Sequence, residues 1–334
     1  MRATFGFRDH RLEQVLFDGL RFRSPLGLAA GFDKNGLLLR FWEALGLGFA
    51  EVGSVTARPS GGNPRPRSFR LPDDRALINR MGLNNDGAGV IARRVAVFRR
   101  RDPAFVVGVN VAKTHDPTLV GRDALDDFRA GVRLALPVAD YVVLNVSCPN
   151  TAEGKTFEEP ESLDALLGAV GDERAAAARR VPVLVKLSPP APDDAGAGAL
   201  DELVAICRAH GVDGLVAVNT ASDRRGLGTD PAMLSRIGPG GLSGRPLAER
   251  ADRAVRHLYR LTDGSIPVIG VGGIDSAESA WRRIRAGASL VQVYTGLVYE
   301  GPGLVPSIAR GLVNRLEEAG LASISEAIGL DVSA

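Results

Sequence analysis

Eight times along this chain a short apolar run closes on glycine, asparagine, serine, threonine or lysine, and a helix-like segment usually follows. The runs are Leu26–Gly31, Phe49–Thr56, Val106–Lys113, Tyr141–Cys148, Val181–Ser188, Gly214–Thr220, Ile266–Gly273 and Leu290–Gly296. They are near-continuous in Val, Leu and Ile, as strands buried on both faces must be. Between several of them lie amphipathic stretches, among them Leu163–Arg180, Asp201–His210, Leu247–Thr262 and Ser276–Ala286. Eight strands alternating with helices predict an α/β fold of the (β/α)8 barrel type. An open doubly wound sheet would carry a glycine-rich fingerprint after its first strand; here that turn reads Ala29-Ala30-Gly31-Phe32-Asp33-Lys34. One barrel accounts for all 334 residues, so a single domain over 1–334 is expected. Residues 1–23 contain Asp18-Gly19 between two apolar runs, a hairpin signal, and are expected to plug one end of the barrel. Two connections, Ala57–Phe105 after the second strand and Ala221–Gly264 after the sixth, exceed what a barrel needs. Loops of that length usually build or cover a site.

Charge narrows the function classes. With 41 basic and 39 acidic side chains the formal net charge is +2, which argues against a nucleic-acid surface. Cys148 and Cys207 are too few for a disulfide framework, as expected of a cytoplasmic protein. The first ten residues lack the apolar core of a signal peptide. No run approaches the ~18 apolar residues that span a bilayer. His10, His115, His210 and His257 show no metal-ligand spacing, so no metal site is expected, and His115 reads as a loop histidine.

Barrel active sites gather at the C-terminal ends of the strands. Those ends supply Lys34, Ser54, Asn110, Asn145 with Cys148, Lys186, Asn219, Gly272-Gly273 and Tyr294-Thr295, with Asn79 and Asn150 near by in adjoining loops. Asparagine is common in turns and lysine at rims, so each alone is unremarked. Together they suit a flat heterocycle bearing ring N–H, carbonyl and carboxylate groups. Cys148, set between a buried strand and Pro149, reads either as a placed nucleophile or base or as a small buried hydrophobe. Glycine turns at the ends of strands seven and eight bring bare backbone amides together, the usual phosphate cradle of a barrel. FMN fits the reach from that cradle to the mouth, where Lys186 could stabilise an anionic reduced ring.

From Ser24-Pro25-Leu26-Gly27-Leu28-Ala29-Ala30-Gly31-Phe32-Asp33-Lys34-Asn35-Gly36 to about Ile328-Gly329, the chain resembles dihydroorotate dehydrogenases. The most specific segments are Gly53-Ser54-Val55-Thr56, Gly62-Asn63-Pro64-Arg65-Pro66-Arg67, Ile78-Asn79-Arg80-Met81-Gly82-Leu83-Asn84 and Gly241-Leu242-Ser243-Gly244-Arg245-Pro246-Leu247. The resemblance implies a flavoenzyme that oxidises dihydroorotate to orotate in pyrimidine synthesis and passes the electrons to a second acceptor. It implies that Ala30, Gly31, Lys34, Ser54, Asn110, Asn145, Lys186, Val218 (through its backbone), Gly244, Gly272, Gly273, Tyr294 and Thr295 hold FMN. It assigns the substrate to Lys34, Asn79, Arg80, Met81, Gly82, Leu83, Asn145, Asn150, Asn219 and Thr220. Cys148 would take a proton from C5, and Lys34 would pair with the substrate carboxylate.

The arginine-proline and Ile-Asn-Arg segments look like the membrane-associated, quinone-using class, and Arg70 and Tyr294 match positions lining its quinone tunnel. Two features depart from that class. Its base is generally serine, whereas Cys148 is what the soluble classes carry. Its N-terminal helical extension has no counterpart in the 23 residues before Ser24. The acceptor therefore stands between a quinone and a soluble compound, with at most peripheral contact at the inner face of the cell membrane. Three rival readings remain: an FMN enzyme acting on another pyrimidine or cyclic amide, a tRNA-dihydrouridine-synthase-like enzyme, and a non-catalytic barrel. Oligomeric state is not legible.

Overall fold

The computed structural model describes residues 6–147, 157–190 and 197–332. A hairpin of β1 (Gln14–Leu16) and β2 (Leu20–Phe22) comes first, joined through Phe17, Asp18 and Gly19, all at positive φ. The chain then runs through β3 (Leu26–Leu28), α1 (Leu39–Leu45), β4 (Phe49–Val55), β5 (Ser68–Leu71), β6 (Ala76–Asn79), α2 (Ala88–Arg101), β7 (Val106–Val111) and α3 (Gly121–Ala135). There follow β8 (Tyr141–Asn145), α4 (Pro160–Ala175), β9 (Val183–Leu187), α5 (Ala197–Ala209), β10 (Gly214–Ala217), α6 (Pro231–Ile237) and β11 (Gly241–Gly244). The last elements are α7 (Ala248–Thr262), β12 (Val268–Val271), α8 (Ala277–Arg285), β13 (Ala288–Val293), α9 (Thr295–Glu300) and α10 (Leu304–Ala319).

Strands β3, β4, β7, β8, β9, β10, β12 and β13 pair in parallel, in that order, and β13 closes on β3. The expected (β/α)8 barrel is present, and its eight strands are the eight apolar runs, trimmed at their ends. Two glycines make room for rings inside the barrel. A Cβ on Gly27 would lie 2.3 Å from the Phe49 ring, and one on Gly108 would lie 2.2 Å from Tyr141. The hairpin plugs the barrel as its sequence predicts. Phe17 and Phe22 enter the interior and meet Phe49 and Tyr141, with Phe22 edge-on to Phe49 at 5.4 Å. Burying these rings removes a large apolar area at that end from water.

The long connections are ordered by an antiparallel sheet, β5–β6–β11, that the hydrophobic pattern does not reveal. It ties the loop after β4 to the loop after β10 in the register Ile78↔Leu242 and Leu77↔Ser243. Helix α2 buries Ala88, Ile91, Val95 and Phe98, one stripe at helical spacing. Helix α8 opens on a reciprocal cap between Ser276 and Ser279. Among the described residues, no helix is long and apolar enough to cross a membrane.

Candidate active site

A cavity of about 940 Å³ opens at the C-terminal ends of the barrel strands, between the mouth and the β5–β6–β11 sheet. Its wall near β3 carries Ala30, Gly31 and Lys34. The loop bearing Lys34 is anchored from beneath by Asp33, which is buried and accepts from the Leu37 and Leu38 amides (2.9 and 2.8 Å) and from the Trp42 indole (3.1 Å).

Polar side chains on one side of the mouth form a continuous chain of hydrogen bonds. Asn219 Nδ2 donates to Asn145 Oδ1 (3.1 Å) and to Ser147 Oγ (2.9 Å). Asn145 Nδ2 donates to Ser54 Oγ (2.8 Å), and Ser54 Oγ donates to Asn110 Oδ1 (2.5 Å). Asn110 Nδ2 ends the series on Glu51 Oε1 (2.8 Å), inside the barrel. Ser147 Oγ donates to the Lys186 carbonyl (2.9 Å), which couples this chain to the strand that carries the lysine. Every amide in the series is locked by a neighbour, so what each presents to the cavity is set before any ligand arrives.

On the opposite side lie Gly244, Gly272, Gly273, Thr295 and Gly296. Gly244, Gly272 and Gly273 all have positive φ (104°, 115° and 73°), where a side chain is strained. A Cβ on Gly273 would also stand 2.5 Å from Ala248, so the turn admits glycine alone. Ser243 and Thr295 share a hydrogen bond of 2.9 Å at its edge. The Gly272 carbonyl accepts from the fully buried Arg283 (2.8 Å). Tyr294 stands between this cavity and a second cleft lined by Phe32, Ser68, Arg70, Leu77 and Val298. Its ring packs 5.2 Å from Phe32, its hydroxyl donates to the Gly31 carbonyl (3.4 Å), and burial pushes that hydroxyl above its ordinary range.

Of the expected site residues, Asn79, Met81, Gly82, Leu83, Asn145, Lys186, Val218, Asn219 and Thr220 also line the cavity. Asn110 stands behind Ser54, fully buried. Arg80 points away from the cavity: its guanidinium lies over the Phe69 ring and donates to the Ile237 and Pro66 carbonyls. Cys148 and Asn150 lie outside the described residues. His115 lines a separate surface cleft with Arg58 and Asp116. Glu51, Ser147 and Gln292 were not anticipated. A glutamate inside an otherwise apolar strand is a visible signal, but its partners come from strands far away in sequence.

The residues fit a flavin nucleotide. Glycine turns of the kind that suit a phosphate border the cavity, Lys186 lines it, and Gln292, another lining residue, has a buried oxygen, Oε1, with no hydrogen-bond partner. The family model for dihydroorotate dehydrogenase matches residues 12–316. The chain belongs to the dihydroorotate dehydrogenase family. A relative from Mycobacterium tuberculosis, named dihydroorotate dehydrogenase (quinone), is 46% identical over 329 residues, covering 98% of this chain and 87% of the relative. One of the same name from Trichodesmium erythraeum is 42% identical over 335 residues, covering 99% and 86%. Among solved structures, ligand-free dihydroorotate dehydrogenase from Eimeria tenella superposes with a TM-score of 0.89 at 36% identity, over 97% of this chain and 92% of that one. The same enzyme in complex with ferulenol gives 0.89 at 35% identity. The dihydroorotate dehydrogenase family is flavin-dependent in general.

Proposed function

We propose that this protein is an FMN-dependent dihydroorotate dehydrogenase that oxidises (S)-dihydroorotate to orotate and passes the electrons to a quinone. The observation that carries the reading is one cavity in which a glycine turn, two lysines and a locked series of amides converge. The quinone acceptor is the one named for relatives at 42–47% identity over nearly the whole chain. A second cleft meets the first at Tyr294, which supports an entry for the acceptor separate from that of the substrate. We take the enzyme to be cytoplasmic, touching the membrane at its periphery to reach a lipid-soluble acceptor.

FMN, when bound, supplies the two-electron acceptor for hydride leaving C6 and relays the electrons onward. Gly244, Gly272, Gly273 and Thr295 would hold its phosphate, with Ala30, Gly31, Ser54, Lys186 and the Val218 backbone around the rest. Lys34 would pair with the substrate carboxylate. Asn79, Asn145, Asn219 and Thr220 would fix the orientation of the ring, so that the reacting carbons are presented in one pose. Cys148 would take the C5 proton; a thiol, with an ordinary pKa of ~8.5, gives some thiolate near neutrality. The proton leaves on sulfur as the C5–C6 bond becomes double.

Anaerobic mixing of the purified protein with dihydroorotate tests the reading directly. The yellow colour should bleach, orotate should form in equal amount, and a quinone should restore the colour. Flavin that stays oxidised under dihydroorotate overturns the assignment.

A further inference from the structure

Among the described residues at the mouth of the barrel, the pair Glu51–Gln292 has no role in the reading above. Both are buried, at 0% and 1% exposure. Gln292 is on β13, between Leu290 and Tyr294 on the same inward face, and it lines the cavity. Its Nε2 donates to Glu51 Oε2 at 2.7 Å. The other oxygen of Glu51 accepts from Asn110 Nδ2 at 2.8 Å. Both of its oxygens accept, and both amides turn nitrogen toward it. The charge is felt deeper in the barrel too: burial first, and then Glu51, push the Tyr141 hydroxyl well above its usual range.

That constraint decides which way the Gln292 amide turns. Flipping the Gln292 amide would set oxygen against oxygen at hydrogen-bond distance, so Oε1 is held away from Glu51. There it is buried and lacks a hydrogen-bond partner. Buried polar atoms are paired in the great majority of cases, and an exception in a residue that lines a cavity calls for a donor, which a ligand there can bring. Gln292 pairs across β12–β13 with Val271, next to Gly272, which puts it on the phosphate side of the mouth rather than beside Asn79 and Asn219. The donors that a flavin nucleotide carries next to its phosphate are the hydroxyls of its side chain.

We propose that Gln292 Oε1 accepts a hydrogen bond from a side-chain hydroxyl of the bound flavin nucleotide, and that Glu51 is the positioning residue that fixes it as an acceptor. This rests on the FMN reading of the same cavity. The experiment compares two ligands on protein stripped of flavin: FMN, and an analogue whose phosphate is joined to the ring by an unsubstituted alkyl chain. Binding is read by quenching of flavin fluorescence. Gln292→Met should weaken FMN about tenfold, the worth of one hydrogen bond to a buried acceptor, and leave the analogue unchanged. Glu51→Gln, nearly isosteric, frees the amide to flip and should show the same selective loss. Equal loss for both ligands, or no loss for either, overturns the proposal while the FMN reading stands, because wild type still binds FMN and bleaches with dihydroorotate. Wild-type protein that binds neither ligand sinks both.

Discussion

Replacing Arg283 with methionine should destabilise the protein by about 3–5 kcal/mol. The figure follows from what the guanidinium touches. Among the described residues, Arg283 is the largest fully buried side chain. Its Nε donates to Asp252 Oδ1 (2.5 Å), and its Nη2 donates to the Gly272 and Ala248 carbonyls (2.8 and 3.0 Å). Burial lowers its pKa, partly offset by Asp252. Methionine fills much of the volume, so the loss is electrostatic rather than a cavity. Breaking a buried ion pair costs about 3–5 kcal/mol because the partner charge stays behind. Asp252 keeps a second cation, Arg282, at 2.6 Å, but that side chain is 44% exposed and compensates only in part. Two carbonyls that lose a donor add about 1 kcal/mol each where water cannot reach them. Urea unfolding, followed by far-UV circular dichroism with flavin absent and then saturating, measures the change as a shift of midpoint at constant slope. The flavin-saturated shift should be the larger, since the Gly272 turn is what Arg283 holds. A loss below about 1 kcal/mol would refute the argument, and would mean that Arg282 alone satisfies Asp252.

Other expectations are quickly checked. Cys148→Ser should move the pH–rate profile for dihydroorotate oxidation to higher pH, since a hydroxyl ionises less readily than a thiol; full activity on an unmoved profile removes Cys148 as the base. Lys34→Met should raise KM for dihydroorotate by about 10–100-fold, the worth of a hydrogen bond to a charged group, and a KM within a factor of two would count against the carboxylate contact. Burial pushes the Cys207 thiol up to about 12. It should stay unlabelled by iodoacetamide at about pH 8 until the protein is unfolded, as peptide mapping would tell. Asp9 is held at about 2, chiefly by the Arg11 side chain. Its folded pKa lies below the unfolded ~3.9, so its contribution is complete above that value and is lost as pH falls toward 2. Asp9→Asn should therefore flatten the stability curve between those limits, and an acid limb identical to wild type would reject the pairing.

The barrel was legible because strands covered on both sides must be apolar along their whole length, and eight such runs alternating with helices leave little choice of architecture. The plug was legible for a related reason: Asp18-Gly19 offers the positive φ that a tight hairpin demands. Most of the candidate site could be read from the strand ends, because a barrel delivers those ends to one mouth whatever its detailed packing. Cys148 and Asn150 stand as sequence readings alone.

What the linear order could not reveal was pairing at a distance. Strands β5, β6 and β11 are four residues each, and their register joins Asn79 to Gly241, 162 positions on. No local pattern specifies that. Arg80 looks like a site residue beside Asn79, yet the sheet turns it onto Phe69, since neighbours along a strand face opposite ways. Glu51 and Gln292 are 241 positions apart and become partners only when β13 closes the barrel on β3. Composition and periodicity thus determined which segments become strands and which polar residues their ends bring to the mouth. Only closure of the sheet decided which polar groups meet, because hydrogen bonds act over about 3 Å and the sequence holds no record of that distance.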